Sequence, residues 1–255
     1  MIKPIWTIAR FTFFEAMRNR LFLLTLIGLI SVLGLTEFVG ELAISETRNM
    51  QAILIGAAMR LFAVITIALF VITSVVREFN DKGFDLIASL SLPRHSYYFG
   101  KSLGFFLLAL VISISTALLL LIYSPLIPVA LWFVSLICEL AIVIALSLLC
   151  LFTFSNVTVA FMVVISFYVL ARSMYTLQLV SHSPILEFYD LSQQFLRGLT
   201  DAVAFVLPSL HEFTHSEWLA YGVEPGDIIP ILIQTVIYLV LLAAAGLFDL
   251  YRKNL

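Results

Sequence analysis

The sequence predicts an all-α integral membrane protein: six transmembrane helices, an N-terminal amphipathic interfacial helix, a short helix in an inner loop, and a partly membrane-dipping external segment before the last span. Three observations predict it. Of the 255 residues, 62% are hydrophobic and only 12% charged, whereas a soluble domain carries roughly 25% charged residues. Six apolar runs reach the length of about 20 residues that a spanning helix needs. The Lys and Arg residues gather on one side of those runs. A net charge of −2 argues against a nucleic-acid partner, which calls for a basic surface.

The first 20 residues carry Arg10, Glu15, Arg18 and Arg20 among aromatics, and no small-residue cleavage site follows the next apolar run. They therefore read as helix rather than as a cleavable signal. Pro4 suits a first helical position. Ile5, Ile8, Phe11, Phe14 and Met17 recur at helical spacing with Arg10, Glu15 and Arg18 interleaved. That pattern suits a helix lying in the inner membrane face; the plainer alternative is an extension of the first span.

The six spans are expected at residues 21–38, 53–76, 103–123, 128–152, 157–177 and 228–248. Orientation follows from the basic residues. Placing the N-terminus in the cytoplasm puts Lys3, Arg10, Arg18, Arg20, Arg77, Lys82, Arg94, Lys101, Arg252 and Lys253 there. The far side receives Arg48, Arg172 and Arg197. An even number of spans then returns the C-terminus to the cytoplasm. Acidic residues run the other way, with Glu37, Glu41, Glu46, Glu187, Asp190, Asp201, Glu212, Glu217, Glu224 and Asp227 facing outward. Cys138 and Cys150 share one apolar run, about 18 Å apart along a helix, too far for a disulfide. The chain shows no internal repeat and no low-complexity linker, so residues 1–255 read as one domain.

Residues 178–227 form the large external segment. Leu191, Phe195, Leu199, Val203 and Val206 make an apolar stripe beside Gln193, Gln194, Arg197 and Asp201. An irregular loop facing lipid is excluded, so the segment is expected to dip into the membrane as helix or to lie on its outer face.

Residues 77–101 form the main charged inner loop. Gly83 frees the chain to turn, and Asp81 or Asp85 suits a helix start. Phe84, Ile87 and Leu90 then share one side of about two turns that Pro93 ends. The pattern fits either a short helix on which something docks or a packed turn between spans.

Arg77-Glu78 after a span, then Gly83, the Leu92-Pro93-Arg94 step, and Gly100-Lys101 opening the next span together resemble the membrane subunits of type-two ATP-binding-cassette exporters. The amphipathic N-terminal helix, six spans and large external segment are similar to that family as well. Leu207-Pro208-Ser209-Leu210, followed by Phe213, Trp218, Tyr221 and Gly222, resembles its multicopper-enzyme-maturation branch. The resemblance covers the whole chain, and it lies in order and topology, since each motif alone is degenerate. It implies that the inner loop carries a coupling helix on which a separate cytoplasmic ATPase docks through Gly83, Phe84, Asp85, Ile87, Leu90, Pro93 and Arg94. It further implies a bacterial inner-membrane location, a second copy of the chain as partner, ATP and Mg in the ATPase subunit, no cofactor here, and an external segment with room for an accessory protein.

Two motifs point elsewhere. Gly100-Lys101-Ser102 matches the end of a phosphate-binding loop, but His95 stands where that loop needs a glycine and no strand precedes it. His211-Glu212-Phe213-Thr214-His215 is a formal H-E-x-x-H, which on a helix would set His211 and His215 on one face to bind zinc, with Glu212 as general base. That gives the alternative function, a membrane metalloprotease. Pro208 and Ser209 instead suit a loop or helix start. A secondary transporter is disfavoured by the lack of repeats or matching broken spans.

Arg60 and Glu139 are the ionisable residues deepest in apolar runs. A charge at that depth costs several kcal/mol unless paired or hydrated, so they are expected to pair across helices, either to orient the bundle or to meet substrate.

Overall fold

Prolines mark where several helices begin, because a proline in the first turn lacks only an N–H that has no helical acceptor. In the computed structural model, which describes residues 2–42, 47–80, 93–154, 156–182, 191–222 and 225–252, α1 (Ile2–Arg18) has Pro4 in its first turn. α2 (Arg20–Leu42) follows after Asn19, whose side-chain oxygen accepts a hydrogen bond from the Leu21 amide at 3.2 Å. α3 (Thr47–Asn80) is one continuous helix of 34 residues. Pro93, extended, precedes α4 (Arg94–Leu120). Pro125 precedes α5 (Leu126–Thr153), and Pro128 lies in its first turn. α6 (Val157–His182) is capped by Asn156, which accepts from the Thr158 amide at 2.9 Å. Between the fifth and sixth spans lie α7 (Leu191–Val206), the one-turn helices α8 (Leu210–Phe213) and α9 (Trp218–Tyr221), and a 3-10 turn at Pro225–Asp227. α10 (Ile228–Arg252), with Pro230 in its first turn, completes the chain.

The protein is thus an all-helical, multi-pass membrane protein. Its six spans run Arg20–Phe38, Arg48–Glu78, Arg94–Leu120, Leu126–Thr153, Val157–Ser181 and Ile228–Arg252. α5 is the hub: 83% of its most apolar stretch is buried, against 17% in α2 and α10. A helix apolar all round with small polar Ser135 and Ser147 fits such a central place. α5 packs on α3, α4, α6 and α10.

The second and third spans extend beyond the apolar runs, and the loop between them is correspondingly shorter than residues 77–101. Arg77 and Glu78 belong to α3, and Arg94 to Lys101 to α4. Pairing makes this extension tolerable: Lys101 Nζ lies 2.6 Å from Glu78 Oε2, and both side chains are largely buried. Gly83, Phe84, Asp85, Ile87 and Leu90, the core of the expected docking helix, lie outside the described residues, whereas Pro93 and Arg94 are seen.

The N-terminal helix packs on the bundle through its small residues and leaves two aromatics of its apolar stripe exposed. Ala9, Thr12 and Ala16 are buried, while Phe11 is 73% and Phe14 50% exposed. Gly100 and Gly104 of α4 explain the difference. A Cβ at Gly100 would stand 2.7 Å from Ile8 Cβ, and one at Gly104 would stand 2.8 Å from the Ala9 carbonyl oxygen. A small-x-x-x-small pair lets two backbones approach closely, so small residues win the interface over larger aromatics. α1 therefore packs along α4 and also presents an outward aromatic face.

Candidate functional site: a buried polar relay under a helical cap

The deepest polar groups meet in the middle of the bundle. Arg60 stands about 18 Å along α3 from the start of its span, and Glu139 about 20 Å along α5 from that of the fourth. Arg60 Nη1 lies 2.7 Å from Glu139 Oε2, with both side chains fully buried. Arg60 Nη2 donates to Ser135 Oγ at 2.8 Å, and the guanidinium sits 4.8 Å over the centre of the Trp132 ring. Fork donors and a flat cation suit Arg to such a site. The other carboxylate oxygen, Glu139 Oε1, accepts from the Tyr168 hydroxyl at 2.8 Å. Tyr168 in turn accepts from Arg172 Nη1 at 3.1 Å.

This relay also reaches the segment between the fifth and sixth spans. Ser135 accepts from Arg60 and donates its single proton to the Phe213 carbonyl at 2.9 Å, with the Trp132 carbonyl at 3.1 Å as its alternative acceptor. Phe213 closes α8, so one hydroxyl ties the bundle charge to the cap. Leu207, Leu210, Phe213, Trp218 and Leu219 supply the buried apolar underside of that cap. Leu219 rests on Gly56 of α3, where a Cβ would meet its Cδ1 at 2.4 Å. The Ser124 hydroxyl donates to the Leu219 carbonyl at 2.6 Å. Gly222 ends α9 at φ +81°, a conformation glycine adopts without strain. The residues quoted for the maturation-branch resemblance thus build this cap, apart from exposed Tyr221.

Arg172 lies within α6, inside the fifth span, half-buried against Tyr168. Its length lets it reach a hydroxyl while its stem packs among apolar neighbours. Leu54, Ala57, Ala58 and Leu61 of α3 and Val169 of α6 line an apolar groove beside it, of about 490 Å³. Ser135, Tyr168 and Arg172 were not singled out in the sequence. Hydroxyls are common in membrane helices, and only their one-turn spacing (Tyr168 and Arg172 at i, i+4) hinted at a shared face.

The H-E-x-x-H residues do not form the zinc-binding geometry. α8 ends at Phe213, and the His211 carbonyl accepts from the Thr214 amide instead of continuing an α-helix to His215. The imidazoles go to different aromatics. His211 stacks on Tyr175 with ring centres 4.7 Å apart, and His215 stacks on Trp218 at 5.5 Å. Burial lowers the His211 pKa, with His215 acting in the same sense and Glu212 opposing. Among the described residues, no three His, Cys, Asp or Glu side chains gather as a metal-ligand set.

At the opposite end, charged residues tie four helices together. Glu15 of α1 accepts from Arg77 at 2.7 Å and from Ser74 at 3.2 Å. Tyr97 donates to Glu78 at 3.2 Å, beside the Lys101 pair. Arg94 Nη1 donates to the Leu250 and Tyr251 carbonyls, both at 3.2 Å, at the end of α10 where helix carbonyls lack partners. α1 and α10 therefore meet the facing ends of α3 and α4 at one end of the bundle. No protein-family model matches this chain, and no curated protein matches it.

Proposed function

We propose that the chain is the transmembrane permease subunit of an ATP-driven exporter, working as two copies with two ATPase subunits in a bacterial inner membrane. The observation that carries the proposal is the charged frame at the facing ends of α3 and α4. Arg94 holds the end of α10, Lys101 holds Glu78, and Arg77 holds Glu15 of α1. A push on the segment between α3 and α4 is therefore shared by four helix ends.

α3 carries such a push inward without a break. Its 34 residues span about 51 Å, from the frame past Arg60 to the cap resting on Gly56. In this mechanism ATP-driven closure of the partner subunits moves α3 and α4 through the inner loop. Arg60, Ser135 and the Phe213 carbonyl pass that movement to the external cap. The permease itself makes and breaks no covalent bond, and both termini face the cytoplasm with the ATPase, which holds ATP and Mg.

Affinity purification of the tagged chain from native membranes tests this. A subunit carrying a complete phosphate-binding loop should co-purify, and ATP hydrolysis should accompany the complex. A chain recovered with no nucleotide-hydrolysing partner, after mild solubilisation that preserves other membrane complexes, contradicts the proposal.

A further inference from the structure

The outward face of α1 carries chemistry that the export reading does not use. Trp6, Phe11 and Phe14 are 56%, 73% and 50% exposed, and they alternate with Arg10 and Arg18. With Glu15, Asn19 and Arg77 they line an open hollow of about 810 Å³. Three guanidiniums face one carboxylate there. Glu15 is already held by Arg77. Arg10 lies over the Phe14 ring at 5.6 Å, and neither Arg10 nor Arg18 pairs with a carboxylate among the described residues.

The level of this hollow identifies its occupant. The first span begins at Arg20 and the second ends at Glu78, so Arg18 and Arg77 mark the boundary of the bilayer on this side. That is the depth of lipid phosphates, where exposed Trp rings settle and where the Phe-bearing face of an interfacial helix meets the acyl boundary. α1 is held there by its small-residue contact with Gly100 and Gly104, which fixes the aromatic and cationic face toward the headgroups. Guanidinium forks match a phosphate with paired N–H donors.

We propose that this hollow is a binding site for an anionic phospholipid, its phosphate held by Arg10 and Arg18 at the membrane surface and its upper acyl region against Trp6, Phe11 and Phe14. The site depends only on membrane insertion and stands apart from the export reading.

The test uses the full-length protein extracted from vesicles of phosphatidylcholine mixed with phosphatidylglycerol. Native mass spectrometry reads the retained lipid, and thermal unfolding is followed on adding short-chain phosphatidylglycerol, short-chain phosphatidylcholine or inorganic phosphate. The wild type should retain phosphatidylglycerol selectively and be stabilised by that lipid alone. Arg10→Gln and Arg18→Gln, both exposed and outside the α1–α4 contact, should each lower the preference roughly fivefold, the factor equivalent to about 1 kcal/mol per arginine near an anionic surface. Equal retention of both lipids by wild type and variants overturns the proposal, as does equal stabilisation by phosphate alone. Loss of a co-purifying protein with unchanged lipid preference also overturns it and reassigns the hollow to a protein partner.

Discussion

Replacing Arg60 and Glu139 singly and together measures how the buried relay stabilises the bundle. Glu139→Leu leaves the guanidinium with the Ser135 hydroxyl and the Trp132 ring but without its carboxylate. Arg60→Met leaves the carboxylate with the Tyr168 hydroxyl alone. Removing one partner of a buried pair costs about 3–5 kcal/mol, whereas replacing both with apolar groups is often near neutral. The two single variants should differ. A carboxyl group stranded in an apolar interior can take up a proton and lose its charge, and a guanidinium cannot. Glu139→Leu should therefore be the more damaging of the two. In the double variant Ser135 keeps its bond to Phe213, and Tyr168 keeps the one from Arg172 while its own proton loses its acceptor. That residual defect is worth about 1–3 kcal/mol. Fluorescence-detected gel filtration and thermal unfolding in detergent report the outcome. The expected result is two poorly folded singles and a largely recovered double, a coupling of several kcal/mol. Additive damage refutes the reasoning, because residues that depend on each other cannot behave independently. Transport then separates roles: a recovered double that transports makes the pair structural, and one that folds but does not transport places it in the path.

Glu212→Gln, which preserves shape and removes a general base, should leave transport and assembly unchanged; lost transport in an assembled complex would restore a catalytic role to the H-E-x-x-H residues. Gly104→Leu, where even a Cβ comes within 2.8 Å of the Ala9 carbonyl, should separate α1 from α4 and lower the unfolding midpoint. Gly34→Leu, with nothing near its Cβ position, serves as the control, and equal stability of the two variants would contradict the close α1–α4 contact.

The spans were legible because each apolar run is long, and prolines mark the starts of three of them, at Pro93, Pro125 and Pro230. Their charged-side ends were not, since Arg94 and Lys101 read as loop charges until Glu78 and the α10 carbonyls supply their partners. Which face of α1 packs on the bundle was not legible for a related reason. Large apolar residues suggest burial, but Gly100 and Gly104 reward small ones, and that choice depends on which helix lies opposite. Arg60 and Glu139 stood out because charge is costly in an apolar run. Tyr168 and Arg172 did not, because a hydroxyl and a boundary-like arginine acquire meaning only in three dimensions. Pro208 and Ser209 did signal a loop or helix start rather than a helix core, and α8 begins at Leu210 and ends at Phe213, before His215.

ATP hydrolysis by the purified complex, measured with and without Ile87→Asp in the inner loop, tests the coupling role most directly. A charge without a partner in an apolar docking edge costs several kcal/mol, so the account predicts a folded membrane subunit that no longer binds or drives the ATPase. Wild-type co-purification, hydrolysis and transport in the Ile87→Asp complex would contradict it.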